Sequence, residues 1–481
     1  MATTGRTYND AVDALNTLQT PFAVIEARRK AGVRPDEASV KEMRAYLARL
    51  GYSPQRDPRR WHKGQGQHLR LHRLDPRAPP RRLPLSVPRK VGLLISPHLI
   101  AVRERIRING APISEALFAR YFFEVWDRLG ESTAEEEAVA LGTRPIYSRY
   151  LTLVSFHAFL QEGCDVAILE TGIGGSTTPR TWSGGRWRRG SRRWGSITFS
   201  RSGHRREDCV AQGGDHEEGS KAFTVEQVAD AQVVLEERAR EKGVDMETVG
   251  VDPRLQDVKI RPDAAFQKRN ASLAIRLAET ALEKIDPTGF RRDAEKLPPD
   301  FVEGLETVVW RGRCEVKDEG RLCGMSTART RRIVCGWRRG GSSMRRRRGE
   351  KGPEGGRTEA IDFLDGVYNA IKREDGSAFE TVVFCTNVTY AQTGYKRDFV
   401  NHQYDAKAIE AMTVQRQFAE RWSKLDPKAD VRVIPTIEEA LNHVRGVSEG
   451  VAEGESVQAF VTGSLHLVGG ALGILEGADA L

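Results

Sequence analysis

The 481-residue sequence predicts an α/β protein, and three observations lead to this fold class. Short apolar runs alternate along the chain with stretches that show helical apolar spacing. Several of these runs end in glycines or loop residues, and the chain is long enough for two domains with cores of their own. Strands that alternate with helices favour parallel sheets, which bind ligands beyond the carboxyl ends of their strands.

Six elements are predicted before residue 170, and their apolar residues have the spacing that each type requires. Helices are expected over 8–20, 36–50, 114–129 and 148–162, and strands over 91–95 and 165–169. Ser114 is placed to cap the third helix. The first strand leads into Ser96-Pro97-His98, and the second, which we expect to be buried, runs into Glu170 and a glycine-rich turn.

The pattern repeats beyond residue 380. Strands are predicted over 381–385, 431–434 and 457–461, and helices near 405–422 and over 436–445. The last strand is followed by the segment Gly463–Gly470. This segment predicts a strand-to-helix turn rather than a second phosphate-binding loop, because it lacks the lysine of such loops.

The formal charge of +9 is unevenly distributed. Residues 59–88, 176–218 and 322–349 hold 8, 9 and 9 basic against 1, 5 and 0 acidic side chains, so these three windows carry +20 and the rest −11. A basic surface can indicate a nucleic-acid partner. The windows lack apolar periodicity and RNA-binding motifs, however, and we expect no nucleic acid among the partners.

Targeting signals and cysteine usage indicate the compartment. No stretch approaches the roughly 20 apolar residues that span a bilayer, and residues 1–20 contain neither a signal-peptide apolar run nor an arginine-rich presequence. The six cysteines include no C-x-x-C pair, which suits a reducing compartment. We therefore expect a cytoplasmic protein with no transmembrane segment.

Glu170 is the first chemical signal, because it follows four apolar residues and precedes glycines. Its carboxylate is expected at the carboxyl edge of a sheet, where backbone can approach a ligand. That position suits a Mg²⁺ ligand, since magnesium prefers hard oxygens and usually shares the ion with phosphate. A plain β-turn with a solvated glutamate remains the alternative.

Four segments carry a resemblance to a known family: Ser96-Pro97-His98-Leu99, Arg103–Gly110, Glu170–Gly175 and Val461–Gly470. Together they resemble the folylpolyglutamate synthases, and the regions 8–18 and 28–52 fit the eukaryotic, especially fungal, form. This family belongs to the Mur-ligase-like group. The resemblance implies an N-terminal P-loop-type ATPase domain over 1–305 and a C-terminal Rossmann-like α/β domain over 306–481.

The resemblance also implies an activity. ATP would phosphorylate the γ-carboxylate of a folate, and the amine of L-glutamate would attack the acyl phosphate to form an amide. The expected partners are ATP, tetrahydrofolate polyglutamates and L-glutamate, and the expected cofactor is Mg²⁺, with a monovalent cation such as K⁺ as a further candidate. The family suggests a monomer in one-carbon metabolism, in the cytoplasm and also in a mitochondrial form.

Site residues are carried over from the family position by position. Ser96 and Glu170 match its magnesium ligands, Arg313 matches an arginine that contacts ATP, and Asn270 matches an asparagine near the nucleotide. A third metal ligand, a histidine, and an aspartate of the second domain have no counterpart in the sequence as given. No catalytic residue is assigned.

The phosphate-binding loop is missing as well. Where the family reads Gly-Thr-Lys-Gly-Lys-Gly-Ser-Thr, this chain reads Trp61-His62-Lys63-Gly64-Gln65-Gly66-Gln67-His68. Codons for that stretch, begun one base later, can encode the family motif, and shifted frames in the other two windows also allow family motifs in the expected order. We therefore hypothesise that 57–90, 176–220 and 322–352 are frame-shifted or mis-spliced.

Three function hypotheses follow from the sequence. The leading one is an ATP- and Mg²⁺-dependent ligase whose sequence as given is damaged and inactive. The second accepts the sequence literally, as a catalytically dead relative that lacks the P-loop. The third, ranked last, is a basic nucleic-acid-binding protein.

Overall fold

The fold is described from a computed structural model. It describes residues 5–21, 23–24, 27, 38–52, 90–131, 143–164, 166–170, 197–200, 221–241, 243–286, 288–309, 311–315, 317, 330–335, 357–372, 374–394, 396–400, 406–453 and 456–480. Most of the three basic windows, including the Trp61–His68 stretch, lies outside these residues.

The N-terminal sheet has the order β3-β2-β1-β4. Its strands are β1 (Val91–Leu94), β2 (Ile106–Ile108), β3 (Ala111–Pro112) and β4 (Val166–Leu169). β1 pairs with β4 in parallel and with β2 antiparallel, so this sheet is mixed. The parallel pair brings the carboxyl ends of β1 and β4 to one edge, which is where the candidate site lies.

Four helices cover this sheet, as the apolar spacing predicts: α1 (Tyr8–Asn16), α2 (Ala38–Arg49), α3 (Glu115–Glu131) and α4 (Tyr147–Gln161). The predicted cap of α3 is confirmed, because Ser114 Oγ accepts a hydrogen bond from the Leu117 N–H at 3.2 Å. Gly92 in β1 allows close packing, since a Cβ there would lie 2.6 Å from the ring of Phe159 in α4. The helices and sheet share one apolar core.

The prediction that strand 165–169 is buried is wrong. Ile168 in β4 is 51% exposed, and no residue of the strand is fully buried. Among the residues that the structure describes, β4 pairs only with β1 and lies at the edge of its sheet. An edge strand is covered less completely than a central one, and an apolar run in the sequence does not distinguish the two.

A second sheet of three parallel strands follows, in the order β5-β6-β7. The strands are β5 (Ile197–Ser200), β6 (Lys221–Val225) and β7 (Asp245–Val249), and the helices of this region are α5 (Ala229–Glu241), α6 (Ala265–Ile285) and α7 (Pro299–Thr307). The long helix α6 contacts all three strands. β5 falls within the second basic window.

The C-terminal sheet is entirely parallel, with the order β10-β9-β8-β11. Its strands are β8 (Thr330–Cys335), β9 (Thr381–Cys385), β10 (Asp430–Ile434) and β11 (Ser456–Val461). The helices are α8 (Arg357–Ile371), α9 (Ala406–Glu410), α10 (Thr413–Leu425), α11 (Ile437–Glu449) and α12 (Leu465–Glu476). The order reverses between β8 and β11, which is the switch point where such sheets bind ligands.

The prediction of one helix near 405–422 is wrong. The segment forms two helices, α9 and α10, which are separated at Ala411 and Met412. Met412 has a φ of 51°, in the left-handed region that a continuing helix does not use. The apolar spacing of the segment does not reveal the break, because methionine is normally a good helix former.

Candidate active site between two sheet edges

The parallel pairing of β1 and β4 brings Ser96 and Glu170 together. The backbone N–H of Ser96 donates to Glu170 Oε2 at 2.7 Å, and the backbone N–H of Glu170 donates to the Leu94 carbonyl at 2.8 Å. The two residues proposed as magnesium ligands therefore lie side by side, although 73 residues separate them in the sequence. A serine hydroxyl and a carboxylate are both hard oxygen donors, as magnesium requires.

A buried carboxylate shapes the loop that follows Ser96. Glu104, which is 1% exposed, accepts hydrogen bonds from the backbone N–H groups of Leu99, Ile100 and Ala101 at 2.8, 3.1 and 2.9 Å. Backbone donors that are buried need such partners, and a charged acceptor binds them strongly. Glu104 therefore fixes the course of residues 96–101, which we call the Ser96 loop.

The C-terminal domain packs directly on the Ser96 loop. Helix α12 begins after β11, where Ser464 Oγ accepts from the Leu467 N–H at 3.1 Å and caps the helix. A Cβ on Gly469 would lie 1.8 Å from the carbonyl oxygen of Leu99, so only glycine permits this approach. The carboxyl ends of β1 and β11 thus face each other, and the candidate site lies between the two domains.

His98 stands at the centre of this contact and is 1% exposed. Its Nδ1 accepts from Arg105 Nε at 2.9 Å, because an arginine can only donate, and its Nε2–H donates to the Asp398 carbonyl at 2.9 Å. Burial lowers the pKa of His98 well below its usual value, and the charge of Arg105 lowers it further. The ring is therefore neutral.

Arg313 lies beside this site. Its neighbour Gly312 has a φ of 71°, and a Cβ there would lie 3.0 Å from the side chain of Leu99 and 3.2 Å from Val468. Arg311, which replaces a proline of the family motif, pairs with Glu476 at the end of α12. Arg313 itself is exposed and is held next to the Ser96 loop by these contacts.

Asn270 has its hydrogen-bond partner on its own helix. It is on α6, where its Nδ2 donates to Gln267 Oε1 at 3.0 Å. No hydrogen bond among the described residues joins it to the Ser96 loop, to Glu170 or to Arg313. The structure therefore brings Ser96 and Glu170 into contact and places Gly312, the neighbour of Arg313, next to the Ser96 loop.

The metal shell is incomplete in the part of the chain that the structure describes. Within those residues, no group of three or more His, Cys, Asp or Glu side chains is placed to hold a metal ion. The missing histidine ligand of the family is expected in the window 176–220, which is largely outside the described residues. Ser96 and Glu170 are the two donors that remain.

Sequence reasoning missed the residues that organise this site, among them Glu104 and Asp398. Glu104 belongs to the Arg103–Gly110 segment that carries the family resemblance, so a signal existed for it. Asp398 follows no apolar strand and belongs to none of the recognised segments. Its role is visible only from the fold, because its partners lie about 300 to 390 residues away.

Curated proteins supply close relatives. The chain is 55% identical to the folylpolyglutamate synthase of Neurospora crassa, over 100% of this chain and 94% of that protein. It is 34% identical to the folylpolyglutamate synthase of Saccharomyces cerevisiae, over 99% of this chain and 88% of that one. The chain belongs to the folylpolyglutamate synthase family. No protein-family model matches it.

Solved structures agree on the fold. The folylpolyglutamate synthase of Mycobacterium tuberculosis, complexed with ADP and AMPPCP, has a TM-score of 0.56 at 15% identity and covers 99% of this chain and 97% of its own. The Lactobacillus casei enzyme has a TM-score of 0.54 at 16% identity and covers 98% and 100%. At these identities the likeness concerns the fold alone, and it confirms the predicted α/β class.

Within the described residues, no helix is both long enough and apolar enough to cross a membrane.

Proposed function

We propose that this polypeptide derives from an ATP-dependent ligase that adds L-glutamate to the γ-carboxylate of tetrahydrofolate (poly)glutamates, in one-carbon metabolism. The observation that carries the proposal is the 55% identity to a curated folylpolyglutamate synthase over the whole chain. The facing carboxyl edges of β1 and β11 support it, because a ligase must bring a nucleotide and two further substrates into one cleft.

The reaction has two steps, and neither step changes an oxidation state. A carboxylate oxygen of the folate takes the γ-phosphoryl group of ATP, which releases ADP and forms an acyl phosphate. The amine of glutamate then attacks the carbonyl carbon, phosphate leaves with the bonding electrons, and the nitrogen loses a proton. Positioning and charge neutralisation account for most of such phosphoryl-transfer catalysis.

Ser96 and Glu170 would hold Mg²⁺, which neutralises phosphate charge when it is bound. Their fit rests on the donor chemistry and on the hydrogen bond between them. Arg313 would contact the nucleotide, and its anchoring beside Leu99 supports this role. Asn270 is a weaker candidate for the nucleotide site. Its hydrogen-bond partner Gln267 lies on the same helix, so this contact does not link Asn270 to the Ser96 loop.

Three further properties follow the family resemblance. We expect a monomeric, cytoplasmic protein, with a mitochondrial form suggested by the family resemblance, and a monovalent cation such as K⁺ as a further candidate beside Mg²⁺. Binding of ATP is supported by the complexes of the M. tuberculosis relative with ADP and AMPPCP.

The sequence as given lacks a P-loop, so we propose that the three basic windows are read in the wrong frame and that the literal chain is inactive. Nothing in residues 61–68 replaces the lysine and backbone N–H cradle that bind the β- and γ-phosphates. The alignment with the N. crassa relative has 510 positions, 29 more than the 481 residues of this chain, so the relative has segments with no counterpart here. A catalytically dead relative is the second candidate, favoured by the same missing motif.

The test compares two proteins. One is the chain as given, and the other carries the family frame restored in 57–90, 176–220 and 322–352. Incorporation of labelled glutamate into tetrahydrofolate is measured with and without ATP and Mg²⁺. We expect ATP- and Mg²⁺-dependent incorporation by the restored chain alone. A folded restored chain without turnover would contradict the ligase, and turnover by the literal chain would contradict the frame hypothesis.

A further inference from the structure

A short segment of the C-terminal domain, Lys396–Val400, is inserted between two parts of the N-terminal domain. We call it the clasp. On one side it meets α1 and the residues just after it. Asn16 Nδ2 donates to the Arg397 carbonyl at 3.0 Å, and Gln19 Nε2 donates to the Val400 carbonyl at 2.7 Å. The Arg397 guanidinium also pairs with Asp13.

On its other side the clasp meets the Ser96 loop. The carbonyl of Asp398 accepts from His98 Nε2 at 2.9 Å, and the ring of Phe399 stacks on His98 at a centroid distance of 6.1 Å. Phe399 also meets His466 of α12 edge to face at 5.7 Å. The clasp therefore links α1, the Ser96 loop and the start of α12.

The buried carboxylate of Asp398 also makes two hydrogen bonds to the N-terminal domain. Its Oδ1 accepts from the Tyr8 hydroxyl at 2.5 Å and from the Val102 N–H at 2.7 Å, and the residue is 5% exposed. A buried carboxylate loses its hydration and needs such donors. Burial and the charge of Asp398 raise the pKa of Tyr8 far above its usual value, so the phenol keeps its proton and donates.

None of these partners is local. Tyr8 and Val102 are 390 and 296 residues from Asp398 in the sequence, and both belong to the N-terminal domain. An aspartate that merely stabilised its own turn would accept from a backbone N–H two or three residues away, as Asp375 does from Ser377. Asp398 instead joins two domains, at the loop that begins with Ser96.

We propose that Asp398 is a positioning residue, which docks the C-terminal domain on α1 and on the Ser96 loop and so fixes the loop beside Glu170. Its hydrogen bonds among the described residues go to Tyr8, His98 and Val102. The contacts described above support the docking of the two domains. The effect of this docking on catalysis rests on the proposed function. Loss of the carboxylate leaves the Tyr8 hydroxyl and the Val102 N–H buried without this acceptor, which favours separation of the two surfaces.

Amide hydrogen exchange, measured by mass spectrometry on the full chain, tests the docking without any need for activity. Asp398→Ala is expected to accelerate exchange about tenfold or more in peptides over 8–19 and 98–103, as well as over 396–400. Asp398→Asn keeps an oxygen acceptor in place and should restore most of the protection. The matched control is Asp375→Ala, an exposed aspartate of the same domain, which should affect only its own turn and the adjoining Lys428.

Acceleration confined to 396–400 would overturn the proposal, because it would assign Asp398 a local role. If Asp398→Ala does not fold, Tyr8→Phe decides the question, since it removes one hydroxyl and keeps the ring. That variant should accelerate exchange over 396–400, on the other domain, and unchanged exchange there would equally overturn the proposal. A ligase assay that fails while the exchange result holds would count against the proposed function alone.

Discussion

Two neighbouring strands of the C-terminal sheet occupy similar places but have very different sequences. β9 reads Thr-Val-Val-Phe-Cys, and all five residues are buried. Val383 and Cys385 pack on α11 and α12, while Val382 and Phe384 pack towards α8 and α10. β8 lies between β9 and β11 but reads Thr-Arg-Arg-Ile-Val-Cys.

A strand with parallel neighbours on both sides is normally a continuous apolar run, because helices cover both faces of the sheet. Arg331 in β8 is the register partner of Val457 in β11, whose side chain is fully buried. The sequence of β9 agrees with its place in the fold, and that of β8 does not. Since β8 lies in the third basic window, the comparison supports a wrong reading frame there and a correct one in β9.

The largest effect is expected from Glu170, which lies outside the three basic windows. In the chain with restored windows, Glu170→Gln should lower ligase turnover by about 100-fold or more, because the residue proposed to hold Mg²⁺ loses its charge. The amide oxygen can still accept from the Ser96 N–H, so the turn is retained. Glu420→Gln, at an exposed helical ion pair, is the control and should leave turnover unchanged. Equal activity of both variants would refute the metal assignment.

A substitution in β9 tests the other side of the comparison. Val383→Arg is expected to destabilise the C-terminal domain by about 4 kcal/mol or more, because it puts a charge into a fully buried position. Urea unfolding followed by circular dichroism measures the change. A loss below about 1 kcal/mol would show that central strands of this sheet tolerate arginine, and the argument from β8 would fail.

The reverse substitution in β8 should have a smaller effect of opposite sign. Arg331→Val in the chain as given is expected to raise the free energy of unfolding by about 1–2 kcal/mol, because a strand with parallel neighbours on both sides is normally apolar and valine favours the strand conformation. Arg432→Val in β10, where the arginine is half exposed and pairs with Asp430, is the control and should change stability by less than about 0.5 kcal/mol. No gain at Arg331 would count against the frame hypothesis for this window.

The smallest effect concerns pH and a buried histidine of the N-terminal domain. His157 Nε2–H donates to Glu124 at 2.6 Å, and its Nδ1 accepts from the Tyr52 hydroxyl at 2.5 Å. Burial lowers the pKa of His157, although Glu124 opposes this, and Arg128 and Arg120 add to it. The unfolded state therefore binds more protons than the folded one.

Stability from this histidine is complete above the unfolded pKa, about 6.5, and is lost as pH falls below it towards the folded pKa. Between pH 7.5 and 5.5 the loss should reach up to about 1 kcal/mol. His157→Gln should flatten the pH dependence of the urea midpoint by that amount. An unchanged slope would mean that the pKa of His157 is the same in the folded and the unfolded protein.

Local signals in the sequence predicted the helices and strands well where one face of an element is apolar. The Ser114 cap, the strand before Ser96 and the strand before Glu170 were all found in this way. The break at Met412 was missed, because methionine is a good helix former and the apolar spacing of the segment does not mark a break. The exposure of β4 was missed as well, since it depends on which strands lie beside it.

The site could be predicted only in part. Ser96 and Glu170 come together because residues that follow parallel strands share a sheet edge. Arg313 lies near them only through its neighbour Gly312, which is close to Leu99 of the Ser96 loop. Asp398 could not be foreseen, since its partners are distant in sequence and its own surroundings carry no apolar period. Gly469 belongs to the recognised segment Val461–Gly470, but the close approach to Leu99 that it allows between the two domains is visible only in the structure.

Sequencing the transcript across codons 57–90 tests the central claim most directly. We expect an inserted or deleted base, or a different splice junction, that restores the frame and encodes Gly-Thr-Lys-Gly-Lys-Gly-Ser-Thr after the first strand of the ATPase domain. A transcript that encodes Trp61–His68 as given would contradict the claim, and the chain would then be a member of the family without a phosphate-binding loop.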